Sequence, residues 1–134
     1  MSAGKYNFIV EQGSQHDVTF RYKLADGTFL DLTTYRVRMS VKDHITDTNF
    51  VYQATSDASG SGDTGGTVAF QQHFTKASPQ SGDTQGQFTL SIPTATTTGF
   101  NFNQGVYDLE LVASDGTVTR ILEGKFKIKL QVSA

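Results

Sequence analysis

The chain has 134 residues, eleven basic and thirteen acidic side chains for a net charge of −2, ten Phe, five Tyr, and neither Cys nor Trp. That length fits one domain, 1–134, with a single core, because two halves of about 65 residues would each bury too little surface to be more than marginally stable, with no disulfide to help. The missing cysteines exclude disulfide frameworks, zinc knuckles and thiol nucleophiles, and the balanced charge offers no basic excess for sequence-independent nucleic-acid binding.

No apolar run approaches the ~20 residues of a membrane span. The opening Met-Ser-Ala-Gly-Lys-Tyr lacks the apolar stretch of a secretory signal. A soluble chain made in a cytoplasm, with no membrane partner, is the expectation.

Period-two alternation recurs along the chain and helical periodicity hardly at all. Tyr6, Phe8 and Val10 share one face of a first strand, and after Gly13-Ser14 a second sets Val18, Phe20 and Tyr22 against Thr19, Arg21 and Lys23. Ala25-Asp26-Gly27-Thr28 reads as a hairpin turn, since Gly accepts the positive φ such turns need, and 29–32 is its short return. Val37, Met39 and Val41 alternate with Arg36, Arg38, Ser40 and Lys42, and Phe50, Tyr52 and Ala54 mark an edge strand.

The segment 55–66 is rich in Ser, Gly and Asp and reads as a long mobile loop; Val68, Phe70 and Gln72 resume a strand, and 77–87 is a second polar loop. Ser-Gly-Asp-Thr occurs in both, at 61–64 and 81–84, and reads as convergent turn chemistry rather than a repeat. Phe88, Leu90 and Ile92 alternate up to Pro93, where one helical turn follows, with Thr94 as its cap and Gly99 as its end. Tyr107, Leu109 and Leu111 face inward, and Ser114-Asp115-Gly116-Thr117 makes a second hairpin turn. In the last strand Val118, Leu122, Phe126, Ile128, Leu130 and Val132 keep one parity, with a bulge or bend at Gly124.

About eight short strands joined by turns, with no amphipathic helix for the crossovers of a parallel sheet, point to an all-β antiparallel sandwich, immunoglobulin-like or jelly-roll-like. Phe20, Met39, Leu90, Leu109 and Phe126 hold the inward parity of the most regular strands and form the expected core.

The outward parity of two strands is cationic, with Arg36, Arg38 and Lys42 on one and Lys125, Lys127 and Lys129 on the other. Two readings are open. The lysines and arginines form a basic patch for an acidic partner, or Asp108 and Glu110 on an intervening strand neutralise them, with the last-strand lysines also discouraging edge pairing.

Catalytic chemistry is missing from the pattern. His16, His44 and His73 lie in separate segments without ligand spacing, and Asp43, His44 and Asp47 offer a divalent ion only a strand end. No nucleophile elbow, Walker loop or His-Glu-x-x-His occurs. Asp108 and Glu110 stand about 7 Å apart on one strand face without a cleft. The reading is therefore a non-enzyme with no catalytic residues, cofactor or metal.

Three segments carry a family resemblance: Phe8-Ile9-Val10-Glu11-Gln12-Gly13-Ser14; Leu24-Ala25-Asp26-Gly27 leading to Leu32-Thr33-Thr34-Tyr35-Arg36-Val37-Arg38-Met39; and Gly105-Val106-Tyr107-Asp108-Leu109-Glu110-Leu111 through Asp115-Gly116-Thr117-Val118-Thr119-Arg120-Ile121-Leu122-Glu123-Gly124. In this order they resemble tailed-phage virion proteins related to the immunoglobulin-like N-terminal domain of phage baseplate upper proteins. The resemblance spans about two thirds of the chain and departs from the family in the Ser/Gly-rich middle.

It implies a bacteriophage structural protein in the virion, made in the host bacterial cytoplasm. Such a protein would be an adaptor or accessory piece of baseplate, tail or neck that docks onto other virion proteins in multiple copies or as a homo-oligomer. The alternatives are a capsid decoration protein and a host-glycan-binding module using Tyr and Phe platforms. The candidate interface comprises Phe70 and Phe74 as apolar anchor, Asp63 and Asp83 in the two long loops, and the cationic residues Arg36, Arg38, Lys125, Lys127 and Lys129. The loops are expected to order only on assembly.

Overall fold

The computed structural model describes residues 4–43, 50–56, 71–100 and 102–129. Within them lie β1 (Gly4–Lys5), β2 (Phe8–Glu11), β3 (His16–Arg21), β4 (Arg36–Lys42), β5 (Phe50–Thr55), β6 (Phe74–Lys76), β7 (Gln87–Ile92), β8 (Gln104–Val112) and β9 (Val118–Lys129). A single helical turn, α1 (Thr94–Thr98), and a 3-10 turn at Gly82–Thr84 complete the elements. The alternation read from sequence is the burial pattern observed: β4 and β7 switch between half-buried and buried at every residue.

Two sheets pack face to face. The larger runs β1–β9–β8–β4–β5, with β2 also on β9, and the smaller β3–β7–β6. Lettered A′ to G, β2 to β9 give sheets A′GFCC′ and BED, the partition of an immunoglobulin-like sandwich. Pairing between named strands is antiparallel except at the N-terminus, where β1 and β2 run parallel to β9. The turn after β2 carries the chain into the other sheet, so no hairpin ties β2 to its neighbour and an antiparallel pairing is not imposed. β9 is consequently not an edge, which removes the edge-protecting role expected of its lysines. β5 does lie at the end of the larger sheet.

Met39, Leu90, Leu109 and Phe126 are fully buried, as expected. Phe20 is only half-buried, because β3 is the outer strand of the smaller sheet and every inward residue of it keeps partial exposure. Its ring still stacks on Phe88 at 5.4 Å and meets Phe8 of the opposite sheet at 6.0 Å. Both hairpin turns form as read. Leu24 N donates to Thr28 O (2.7 Å) and Ala113 N to Thr117 O (2.8 Å), with Gly27 and Gly116 at φ 93° and 92°. The return after the first is a single bridge, Lys23 to Phe29, rather than a strand.

The last strand departs from its expected parity. Leu109 pairs with Leu122 but Glu110 with Arg120, so Ile121 is the extra residue of a bulge. Beyond it the parity inverts: Ile121 is buried, Val118 is exposed, and Arg120 is turned to the outer face opposite Glu110. Gly124, expected at the bulge, answers a different demand. A Cβ there would stand 2.3 Å from Tyr6 O and 2.8 Å from Asn7 Oδ1, so only glycine lets the N-terminal segment lie this close. Thr94 does not cap α1; Pro93 occupies the cap position without a side-chain bond, and Thr94 is the first helical residue. Gly99 does end it, in a right-handed conformation.

The expected loop 55–66 and the strand at Val68 and Phe70 lie, beyond Ser56, outside the described residues, and Gln72 belongs to no strand. Thr55 itself closes β5 and is buried. The segment 77–87 is not the featureless loop its composition suggests: it contains the 3-10 turn Gly82–Thr84 and returns directly into β7.

Candidate docking surfaces

One end of the sandwich gathers the connection 22–35, the segment 77–87 and the turn at 113–117. Polar side chains fasten the first two together. Gln80 uses its whole amide: Oε1 accepts from Leu32 N (3.0 Å) and Gly86 N (2.8 Å), and Nε2 donates to Ala77 O (2.9 Å) and Gln87 O (3.0 Å). Lys76 Nζ donates to the carbonyls of Leu32, Thr33 and Tyr35. Arg21 donates to Gln85 O and Gly82 O while its guanidinium lies 3.4 Å from the centre of the Phe29 ring. Arg21 of β3 and Gln80 itself already bond the backbone of 77–87 within the domain, while Lys76 of β6 ties the neighbouring 32–35 to its start, which runs against the expectation that 77–87 orders only on assembly. Composition misses this because Gln80 and Lys76 read as solvated residues until the chain closes around them.

Between 22–35 and the second hairpin lies a depression of about 390 Å³. Tyr22, Leu30, Tyr35 and Leu111 give it an apolar floor, and Asp115, Thr117 and Thr119 a polar rim. Asp115 is already engaged with Thr117 N at 2.9 Å, which holds its carboxyl below the usual range.

The second surface is the outer face of the larger sheet, a shallow depression of about 660 Å³. β8 lies between β4 and β9, as the neutralised-face reading requires. Arg38 Nε donates to Glu110 Oε1 at 2.9 Å, both side chains being mostly covered. On the other flank the partners are not the lysines. Arg120 approaches Asp108 at 3.4 Å and Glu123 at 3.9 Å, and Asp108 stands directly opposite Glu123. Burial first, and then Glu110, push the Asp108 carboxyl above its ordinary value, against the pull of Arg120, Arg38 and Lys42. Sequence reasoning missed Arg120 because the bulge that re-aims it has no glycine or proline to announce it.

Reversing Glu110 to Lys should therefore lower stability by about 1–2 kcal/mol, through loss of a half-buried charged hydrogen bond and a like-charge approach to Arg38. Denaturant unfolding at low and high salt should show that difference shrinking as salt is added. A loss insensitive to salt would mean that packing, not charge, governs the face.

Asp63 and Phe70 lie outside the described residues. Phe74 is buried, its ring 6.0 Å from Phe88, so it is a core residue and not an exposed anchor: the inward parity of β6 puts it there. Asp83 is exposed on the 3-10 turn. Arg36 and Arg38 are half-buried on β4, and Lys125, Lys127 and Lys129 are exposed on β9 opposite Val106, Gln104 and, on β2, Glu11. The two cationic rows are thus not brought together. Of the Asp43, His44, Asp47 cluster only Asp43 is described, and it is exposed.

Two histidines are partly enclosed. His16 packs against Phe8 at 6.1 Å, and His73 Nδ1 is hydrogen-bonded to Tyr52 Oη at 2.6 Å. Burial lowers both below the ordinary value of 6.5. Since the folded state prefers them neutral, their contribution is fully present above 6.5 and is lost as pH falls towards their folded values. Unfolding free energies should decline from about pH 7.5 to about pH 5, and a His16→Phe, His73→Phe double variant should flatten that slope.

Among the described residues no helix is long and apolar enough to cross a membrane, and no group of three His, Asp or Glu is placed to hold a metal. No protein-family model matches the chain. No curated protein matches it either.

Proposed function

We propose that this domain is a non-enzymatic structural component of a tailed-phage particle, an adaptor or accessory piece of baseplate, tail or neck that docks onto other virion proteins in multiple copies. The address comes from the sequence resemblance. The observation that supports docking is the loop end, where Gln80, Lys76 and Arg21 tie two segments together beside an apolar depression. A surface stiffened before binding loses little conformational entropy on association, and a depression floored by Tyr22, Leu30 and Tyr35 suits an apolar side chain of a neighbouring subunit.

Mass spectrometry of purified particles from a lysogen carrying this chain is the test. The protein should co-purify at a fixed ratio to the tail proteins, and Leu30→Arg, which fills the depression with charge, should fold yet be lost from particles. Presence only in the soluble host fraction would overturn the reading. Co-purification in proportion to the major capsid protein would instead support capsid decoration. The tyrosines and the hydroxyl rim of the same depression favour a second reading, host-glycan binding, which a glycan array comparing the chain with Tyr35→Ala would reveal.

A further inference from the structure

Among the described residues the N-terminal strand forms one edge of the larger sheet. β1 and β2 keep one register against β9, Gly4 opposite Leu122 and Phe8 opposite Phe126, so 4–11 acts as a single strand along the outside of the larger sheet. Among the described residues no strand pairs with its other side. Tyr6 N and Gln12 N donate inward, to Glu123 O (3.1 Å) and Lys129 O (2.9 Å). By the alternation of a parallel ladder, the odd-numbered residues between them turn their backbone groups outward. Two of the three exposed large apolar side chains among the described residues stand here, Ile9 at 63% and Tyr6 at 38% exposure. On its outward parity the segment carries Lys5, Asn7, Ile9 and Glu11, whereas the edge strand β3 shows only the polar Asp17, Thr19 and Arg21 to solvent, so the exposed Ile9 is what sets this edge apart.

We propose that this edge pairs antiparallel with the same edge of a second copy of the chain, about a twofold axis at Phe8. Asn7 then faces Ile9 of the second copy, and Lys5 faces its Glu11, each contact occurring twice. Charge complementarity selects this register. Within one chain Lys5 stands opposite Glu123 and Glu11 opposite Lys129. Across the seam the outer face therefore runs Glu123, Lys5, Glu11, Lys129, alternating in sign at each step. Moving the axis to Ile9 preserves the hydrogen-bond parity but sets Lys5 against Gly13 and abolishes the ion pairs. The exposed Ile9 is covered, and the two larger sheets become one continuous sheet.

Sedimentation equilibrium on the full chain reads the prediction directly: twice the chain mass, falling to one chain mass in Ile9→Pro and in Ile9→Lys. The proline removes only an outward-facing N–H, and thermal melting of both variants checks that the fold survives. The register has its own test, because the natural chain contains no cysteine. An oxidised mixture of Lys5→Cys and Glu11→Cys should form a mixed disulfide dimer, since facing Cα atoms of a hydrogen-bonded pair stand about 5.5 Å apart, within disulfide reach. Neither variant alone should cross-link appreciably. A monomer at every concentration, or a dimer that both Ile9 variants leave intact, would overturn the proposal, as would either cysteine variant cross-linking to itself as readily as the mixture. These readings are made on the isolated chain, so they stand or fall separately from its place in a particle.

Discussion

Replacing Phe126 with Ala should destabilise the domain by about 3–5 kcal/mol, the range for deleting a fully buried aromatic ring. Phe126 is completely buried, and its ring lies 5.4 Å from Phe8, 6.0 Å from Tyr52 and from Phe100, and 6.1 Å from Phe102. Those four rings come from three separate segments, and they cannot all relax into the space one ring leaves. Against a total stability of about 5–15 kcal/mol the loss is large. Phe20→Ala should cost distinctly less, because that side chain is half-exposed and its site opens to solvent rather than leaving a sealed cavity. Equilibrium unfolding of the two variants checks both magnitudes. Equal losses would mean that β3 is covered more completely than the structure shows, and a Phe126→Ala loss within about 1 kcal/mol of zero would contradict the strand parity itself.

Gln80→Ala should lower stability by about 2–4 kcal/mol, because it withdraws the acceptor from two amides at once. Leu32 N and Gly86 N both donate to Gln80 Oε1, and Leu32 is fully buried, so water cannot readily replace the lost oxygen there. The carbonyls of Ala77 and Gln87 lose a donor in the same step. Gln80→Glu keeps the acceptor and removes the donor, and should fall between Ala and wild type. Hydrogen exchange gives the decisive readout: the Leu32 and Gly86 amides should exchange faster in Gln80→Ala while those of β4 and β8 are unchanged. Uniform protection in wild type and variant would show that 77–87 is held by something other than this side chain.

The strands, the two glycine hairpin turns and the buried Met39, Leu90, Leu109 and Phe126 were legible because they rest on local rules. Period-two alternation fixes which side chains share a face, and a turn needing positive φ must carry a residue such as Gly27 or Gly116. The neutralisation of the outer face was legible only halfway. Arg38 and Glu110 lie on neighbouring strands whose parity is regular, so their pairing follows from alternation. Arg120 does not follow, because the extra residue Ile121 shifts every parity beyond it and no sequence signal marks a bulge built from ordinary aliphatic residues.

The parallel docking of β1 and β2 on β9 and the network of Gln80, Lys76 and Arg21 were decided by tertiary structure alone. The contacts that fix them join residues some forty to more than a hundred positions apart, or depend on how a loop folds back on itself. A sequence read in short windows contains the donors and acceptors but not their meeting. Hydrophobic patterning is a property of neighbours along the chain and survives such a reading; the satisfaction of buried backbone groups is a property of neighbours in space. For this protein the first determined the sandwich and most of its core, and the second determined how the segment 77–87 is bonded to the domain and where the N-terminal strand docks.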